Sequence, residues 1–258
     1  MDRWSNQRRS CSRPSTRVSN MPVGLRRLTY QVEKSMAKLN MEYRLAPGSI
    51  LTEHDLRCRL HNHLCALPAF QMTIPIEDRK TLGTRVHHDL SWYDQDHKLR
   101  IRPDITILEP ERLRIPVYQA KKVLDPFSGC GYVHRNSQGL PSKEFAFRGK
   151  AITIELKFAR NGINEAMARF IKKDFDKMNR LFQILEERGD GDTVFSYLVI
   201  LNRFPQPPWQ TPIATFLREN RSSCRHKILY LWKSIPSWWY FGTHKTQVSQ
   251  NDVALAPF

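Results

Sequence analysis

Apolar residues recur first at helical spacing. Between residues 24 and 42, Leu25, Leu28, Val32, Met36 and Leu39 fall three or four apart and form one stripe, which predicts a helix that packs on a core. Pro47-Gly48-Ser49 breaks it. A second helical run follows in ILTEHDLRCRLHNHLCAL, with Thr52 as N-cap, Leu56, Leu60, Leu64 and Leu67 on one face, and Pro68 as the stop. The period then changes to two, predicting strands over 69–76, 84–93, 97–108 and 150–160. From 161 to 191 it returns to helical spacing, with Ile163, Met167, Phe170, Ile171, Met178, Leu181, Phe182 and Leu185 on the apolar face and Gly189 or Gly191 at the end. VFSYLVILNRF, residues 194–204, reads as a buried strand, TPIATFLREN as a short helix and HKILYLWKSI as a further strand. This order predicts an α/β protein, with a three-layer core built on a mixed central sheet.

Two of these strands carry the chemistry. In KAITIELKFAR, alternation puts Ile152, Ile154 and Leu156 on one face and Thr153, Glu155 and Lys157 on the other. In RIRPDITIL, Ile105 and Ile107 oppose Arg102, Asp104 and Thr106. Pairing of the two strands would bring two carboxylates and one amine to a single polar rim. Two carboxylates suit a hard divalent cation such as Mg²⁺, which favours oxygen ligands and keeps several waters. Such an ion activates a bound water and neutralises phosphoryl oxygens. ExK alone also occurs on ordinary exposed strands; the pairing with Pro-Asp gives the pattern its weight.

Pro103-Asp104 followed by Glu155-Leu156-Lys157 resembles the signature of the PD-(D/E)XK, restriction-endonuclease-like nuclease superfamily. The resemblance implies a restriction-endonuclease-like core over about 50–204, acting as a Mg²⁺-dependent endonuclease on DNA, with Mn²⁺ as substitute. It implies that Asp104 and Glu155 hold the metal with the Leu156 carbonyl, and that Lys157 assists the attacking water. Glu53, in the first turn of the second helix, is similar in spacing to the family's helix glutamate, and is expected to bind metal or water at second rank. An acid there also complements the helix dipole. Asp89 is either an additional acid near the site or an ordinary hairpin residue.

Charge sharpens the choice of partner. The 258 residues carry a formal charge of +16, unevenly placed. Residues 1–47 hold ten Lys/Arg against three acids, residues 203–258 seven against two, and the middle twenty-four against twenty. A nearly balanced core with basic arms is the footprint of a polyanion partner, here expected to be DNA. Residues 1–21, Ser/Arg-rich, read as a flexible basic arm and 22–47 as a helix on the core. Residues 48–204 form the nuclease-like core with a long insertion at 110–149, 205–245 a basic and aromatic extension, and 246–258 a tail. The insertion is expected to border the substrate, offering Lys121 and Lys122 to phosphates; Arg160, Lys172 and Lys173 are further candidate nucleic-acid contacts. Trp238, Trp239, Tyr240 and Phe241 suit base stacking or, more simply, sealing of the core.

Five cysteines without a C-x-x-C pair argue against a disulfide framework and for a reducing compartment, cytoplasmic or with the DNA in nucleoid or nucleus. Cys58, His61, His63 and Cys65 on one helix raise a zinc reading, which lacks a fourth ligand at standard spacing. No apolar run reaches membrane-spanning length, so no membrane association is expected. Target selection is left to a partner protein, and cleavage of both strands by one such site would call for a homodimer. The alternative reading is a nucleic-acid-binding or assembly subunit with a degenerate nuclease fold.

Overall fold

The computed structural model describes residues 23–76, 79–90, 92–93, 100–114, 132–134, 145–147, 149–187, 192–204, 206–223 and 225–232. The expected basic arm, Lys121, Lys122, the aromatic cluster at 238–241 and the tail lie outside them.

Five strands form the central sheet: β1 (Val86–His88), β2 (Ile105–Leu108), β3 (Ala151–Ala159), β4 (Val194–Asn202) and β5 (His226–Trp232), in the order β5-β4-β3-β2-β1. β3, β4 and β5 run parallel, while β2 is antiparallel to both β3 and β1. The sheet is therefore mixed. All nine residues of β4 are buried, as expected for a parallel strand covered on both faces. β5 extends the sheet beyond residue 204, where the sequence pattern had placed the end of the core.

Helices cover both faces. Helix α1 (Val23–Leu45) and α2 (Glu53–Cys65) bury Leu25, Val32, Met36, Leu39, Leu56, Leu60 and Leu64 against Ile105, Ile107, Ile152, Ile154 and Leu156. The opposite face of the sheet, with Leu198 and Ile200, packs against Ile171, Phe175, Met178, Leu181 and Phe182 of α3 (Glu165–Glu187). Three layers result. A short α4 (Ala214–Asn220) precedes β5.

α2 starts where the sequence predicts, because Thr52 and Asp55 close a capping box: the Thr52 hydroxyl accepts from Asp55 N–H and the Asp55 carboxylate accepts from Thr52 N–H. Elsewhere the local pattern misleads. Residues 68–71 form a one-turn helix begun by Pro68, and the strand is confined to Ile74–Pro75, pairing with Leu82–Gly83. The expected strand 84–93 is cut at Asp89, whose φ of 53° lies in the left-handed region. Its continuation, Trp92–Tyr93, pairs with Arg100–Ile101 in a separate ribbon. Pro103 likewise splits the expected strand 97–108, since proline has no N–H for the ladder. Phe170 sits on the flank of the α3 stripe, 60% exposed, and Phe175 takes the buried position. Within the insertion, Leu113–Arg114, Phe145–Phe147 and Tyr132–His134 make a small antiparallel sheet.

Candidate active site at the β2–β3 seam

The site arises from a mismatch in strand length. β2 and β3 are in register from Ala151↔Leu108 to Ile154↔Ile105, so the next step sets Glu155 opposite Asp104. β2 stops there and β3 runs on to Ala159. Beyond residue 154, main-chain groups of β3 that point toward β2 have no strand to pair with, and a buried unpaired N–H costs about as much as a lost hydrogen bond.

Two of the predicted acids meet that need. Asp104 Oδ2 accepts from Leu156 N–H at 2.8 Å, and Glu53 Oε2, reaching in from the first turn of α2, accepts from Phe158 N–H at 3.3 Å. The expectation that Asp104 lies on one sheet face with Glu155 is thereby refined: its carboxylate has turned into the plane of the sheet, in the place of the missing β2 continuation. The N–H and C=O of one strand residue point to the same side, so the Leu156 carbonyl faces this seam as well.

Glu155 and Lys157 stand on the α3 face, as alternation predicts. Lys157 Nζ donates to Glu155 Oε1 at 2.8 Å and lies 3.0 Å from Asp174 Oδ2; Asp174 is held in turn by Lys177 at 2.7 Å. Lys157, Glu155 and Asp174 are each less than one-fifth exposed at the side chain. Asp174 was not singled out from sequence. Its signal was weak, one acid among the alternating charges of KKDFDK, and only the docking of α3 brings it to Lys157.

A second ionic cluster flanks the seam on the α2 side. Arg57 Nη1 donates to both oxygens of Asp89, at 3.1 and 3.0 Å, and lies 3.7 Å from Asp104 Oδ1. Arg102 Nε approaches Asp89 at 3.3 Å, and Asp89 N–H donates to the Asp104 carbonyl at 3.3 Å. Asp89 therefore borders the site as the counter-ion of two arginines. Arg57, one turn after Glu53, was also missed from sequence, although its i,i+4 spacing could have suggested it.

Burial sets the electrostatics, and neighbouring charges modify it. Burial pushes the Glu155 carboxyl up to about 7; Lys157 opposes this and the Asp104 charge adds to it. Burial also raises Asp104, against the Leu156 N–H, Lys157 and Arg57. It raises Glu53 against Lys157. Glu53 is exposed as a whole residue, but its carboxyl group leans against β3, and that local crowding governs its protonation. At Lys157 burial disfavours the charge, Glu155, Glu53 and Asp174 together more than compensate, and the pKa is raised. Asp174 is lowered in spite of burial because Lys177 and Lys157 both hold it.

Arg102, Pro103, Thr153, Glu155, Asp174 and Lys177 line a cleft of about 30 Å³, room for a water or two rather than an organic ligand. Among the described residues, no three His, Cys, Asp or Glu side chains gather as a ready set of metal ligands. What the seam offers is the Asp104 carboxylate beside the Leu156 main chain, with Glu155 opposite Asp104 in register. That donor set fits Mg²⁺, which is commonly held through one or two carboxylates while keeping its waters. Burial holds the carboxyls of Glu155 and Asp104 above their ordinary range, and a bound cation would favour their charged forms.

The remaining candidates are dispersed. Arg160 is exposed just past β3, and Lys172 and Lys173 are exposed on α3. The zinc reading separates into pairs: Cys58 contacts His54 at 3.4 Å, Cys65 contacts His61 at 3.3 Å, and His63 meets Glu42 at 2.7 Å. No helix of the described residues is long and apolar enough to cross a membrane. Compared with known proteins, the chain matches no family model, no curated protein and no solved structure.

Proposed function

We propose that the protein is a Mg²⁺-dependent endonuclease that hydrolyses phosphodiester bonds of DNA, with the restriction-endonuclease-like arrangement that its PD and ExK motifs imply. One observation carries the reading: Asp104 and Glu155 stand opposite each other across β2 and β3, with Lys157 held two residues along by Glu155 and Asp174. Asp104, Glu155 and the Leu156 carbonyl would hold the ion, and Glu53 would accept from a water at the seam. When bound, the metal supplies a water of lowered pKa and neutralises charge on a phosphoryl oxygen.

The chain's own groups do the rest. Lys157 keeps its proton and offers a fixed positive charge to a developing phosphoryl oxyanion or to the attacking water. Asp174 and Glu155 hold that ammonium between them. Arg57 neutralises Asp104 in the absence of a cation, and Asp89 holds it there.

Purified protein incubated with plasmid and linear DNA in Mg²⁺ or Mn²⁺ is expected to nick or cut, and EDTA to stop it. D104A and K157A are expected to lose cleavage while retaining binding; wild-type nicking rates in either variant reject the assignment. The alternative, a nucleic-acid-binding or assembly subunit with a degenerate site, draws on the partnering of Asp104 and Glu53 by main-chain N–H groups, which gives these acids a structural use. It predicts binding without metal-dependent turnover.

A further inference from the structure

Past Glu155, β3 leads to a second surface. Five residues at about 3.3 Å each carry the strand roughly 17 Å from Glu155 to Arg160, at the edge where β3, β4 and β5 end. Carboxyl ends of parallel strands are the usual place for ligands in open α/β sheets. Here they present two exposed arginines and two exposed aromatics. Arg160 and Arg203 follow β3 and β4, Phe204 is 55% exposed, and Trp209 is 63% exposed.

These aromatics are not loosely placed. Arg203 N–H donates to the Ala159 carbonyl at 3.0 Å, and Phe204 N–H donates to Asn202 Oδ1 at 3.1 Å. Gly162, with φ of 84°, turns the chain from β3 toward α3, and a Cβ there would press on Gln206 Oε1 at 3.3 Å and touch Phe204. Gln206 Oε1 accepts from Ile163 N–H at 3.2 Å and so ties the two turns together. Trp209 leans edge-on against Trp232, with ring centroids 6.2 Å apart at 84°. Large apolar rings held outward on braced turns, beside two arginines that make no ion pair with a described residue, are poorly explained by folding alone.

We infer that Arg160, Arg203, Phe204 and Trp209 form a platform for an unpaired polynucleotide strand, its bases stacking on the rings and its phosphates meeting the guanidinium groups. Duplex bases are stacked on each other and offer no free face, whereas a single strand does. The two arginines supply the electrostatic match to phosphate, and β3 joins the platform to the Asp104–Glu155 seam. The inference rests on the nuclease reading only for that direction of travel: it makes the substrate of the site a single-stranded or frayed segment.

Binding can be measured apart from cleavage. Full-length protein in EDTA is titrated into a labelled single-stranded oligonucleotide and its duplex, with fluorescence anisotropy as readout. F204A/W209A is expected to weaken single-strand binding at least tenfold with little change for duplex. R160A/R203A is expected to reduce the dependence of log affinity on log salt by about 1.4, for two lost phosphate contacts on a single strand. W209F, which keeps a ring against Trp232, should recover much of the affinity, and a failure to fold would show in its thermal midpoint and not in R160A/R203A. Unchanged single-strand affinity in both double variants, or an altered sedimentation mass in its place, overturns the platform and gives the patch to a protein contact. If the platform variants behave as expected and the wild type cuts nothing in Mg²⁺, the nuclease reading falls and the platform stands.

Discussion

The parallel and antiparallel halves of the sheet are built to different standards. β3, β4 and β5 span nine, nine and seven residues, sit between helices, and satisfy one another along their length. β1 and β2 span three and four; the left-handed backbone of Asp89 turns the chain at the end of β1, and Pro103, with no N–H for the ladder, precedes β2. The long half is the stable frame. The short half leaves part of β3 uncovered, and acids from α2 and from the start of β2 occupy the gap. The difference teaches that the candidate site is a defect in strand pairing filled with carboxylates, placed where the frame is rigid on one side and polar on the other.

The sharpest break of that comparison is chemical. D104A, E155A and K157A are expected to reduce metal-dependent cleavage by roughly a hundredfold to a thousandfold or more, by analogy with removal of one transition-state contact, whereas Ser196→Ala, across the frame on β4, should leave the rate within a few fold. Gel assays of supercoiled DNA measure both.

A truncation in the frame comes next on the stability scale. Ile200→Ala, fully buried in β4, should cost about 2–5 kcal/mol, and Val86→Ala in β1 less, because the short half has fewer neighbours to lose. Urea midpoints decide this. Equal losses would mean that the two halves are equally supportive.

Glu155 gives a pH test of the seam. Its folded pKa of about 7 lies above the ordinary 4.5. Below about 4.5 both states hold the proton and there is no penalty. Between 4.5 and 7 the folded protein keeps a proton that the unfolded chain has released, so stability falls as pH rises, by a total of about 3 kcal/mol. E155Q should lack this fall. Mg²⁺ that binds the pair should lower the Glu155 pKa and restore thermal stability at pH 7.5, in wild type but not in E155Q; a denaturation series at pH 4.5, 6 and 7.5 with and without Mg²⁺ reads both.

The smallest effect concerns the edge itself. Asp104→Ala leaves Leu156 N–H without its acceptor and should cost about 1–3 kcal/mol. Asp104→Asn keeps an acceptor oxygen and should cost less, while still losing cleavage. Hydrogen exchange at the Leu156 amide distinguishes the two: faster exchange in the alanine variant only.

Much of this was legible in the chain. The leucine stripe of α2, its Thr52 cap, the alternation of β3 and the apolar run of β4 follow from local periodicity, because burial on one face leaves the same spacing whatever lies opposite. The Pro-Asp and Glu-x-Lys halves are legible from the residues themselves, by their resemblance to a nuclease signature. At Asp89 a distant contact overruled the local pattern, since the residue is held in the left-handed region while ion-paired with Arg57 and Arg102; Phe175, four residues after Ile171 and three before Met178, fits the local stripe better than Phe170 does.

By itself, the sequence determined which residues are apolar, acidic or basic on each element, hence the α/β order, the helix starts and the pair of carboxylates with a lysine. Only tertiary structure decided that β2 stops short of β3, that Asp104 turns into the sheet edge to take Leu156 N–H, and that Asp174 and Arg57 complete the charges around it. These facts depend on strand register and helix docking between separate elements, 52 residues apart in the case of Asp104 and Leu156. No local window contains them, since the free energy that fixes them comes from contacts between elements and not from the spacing within one.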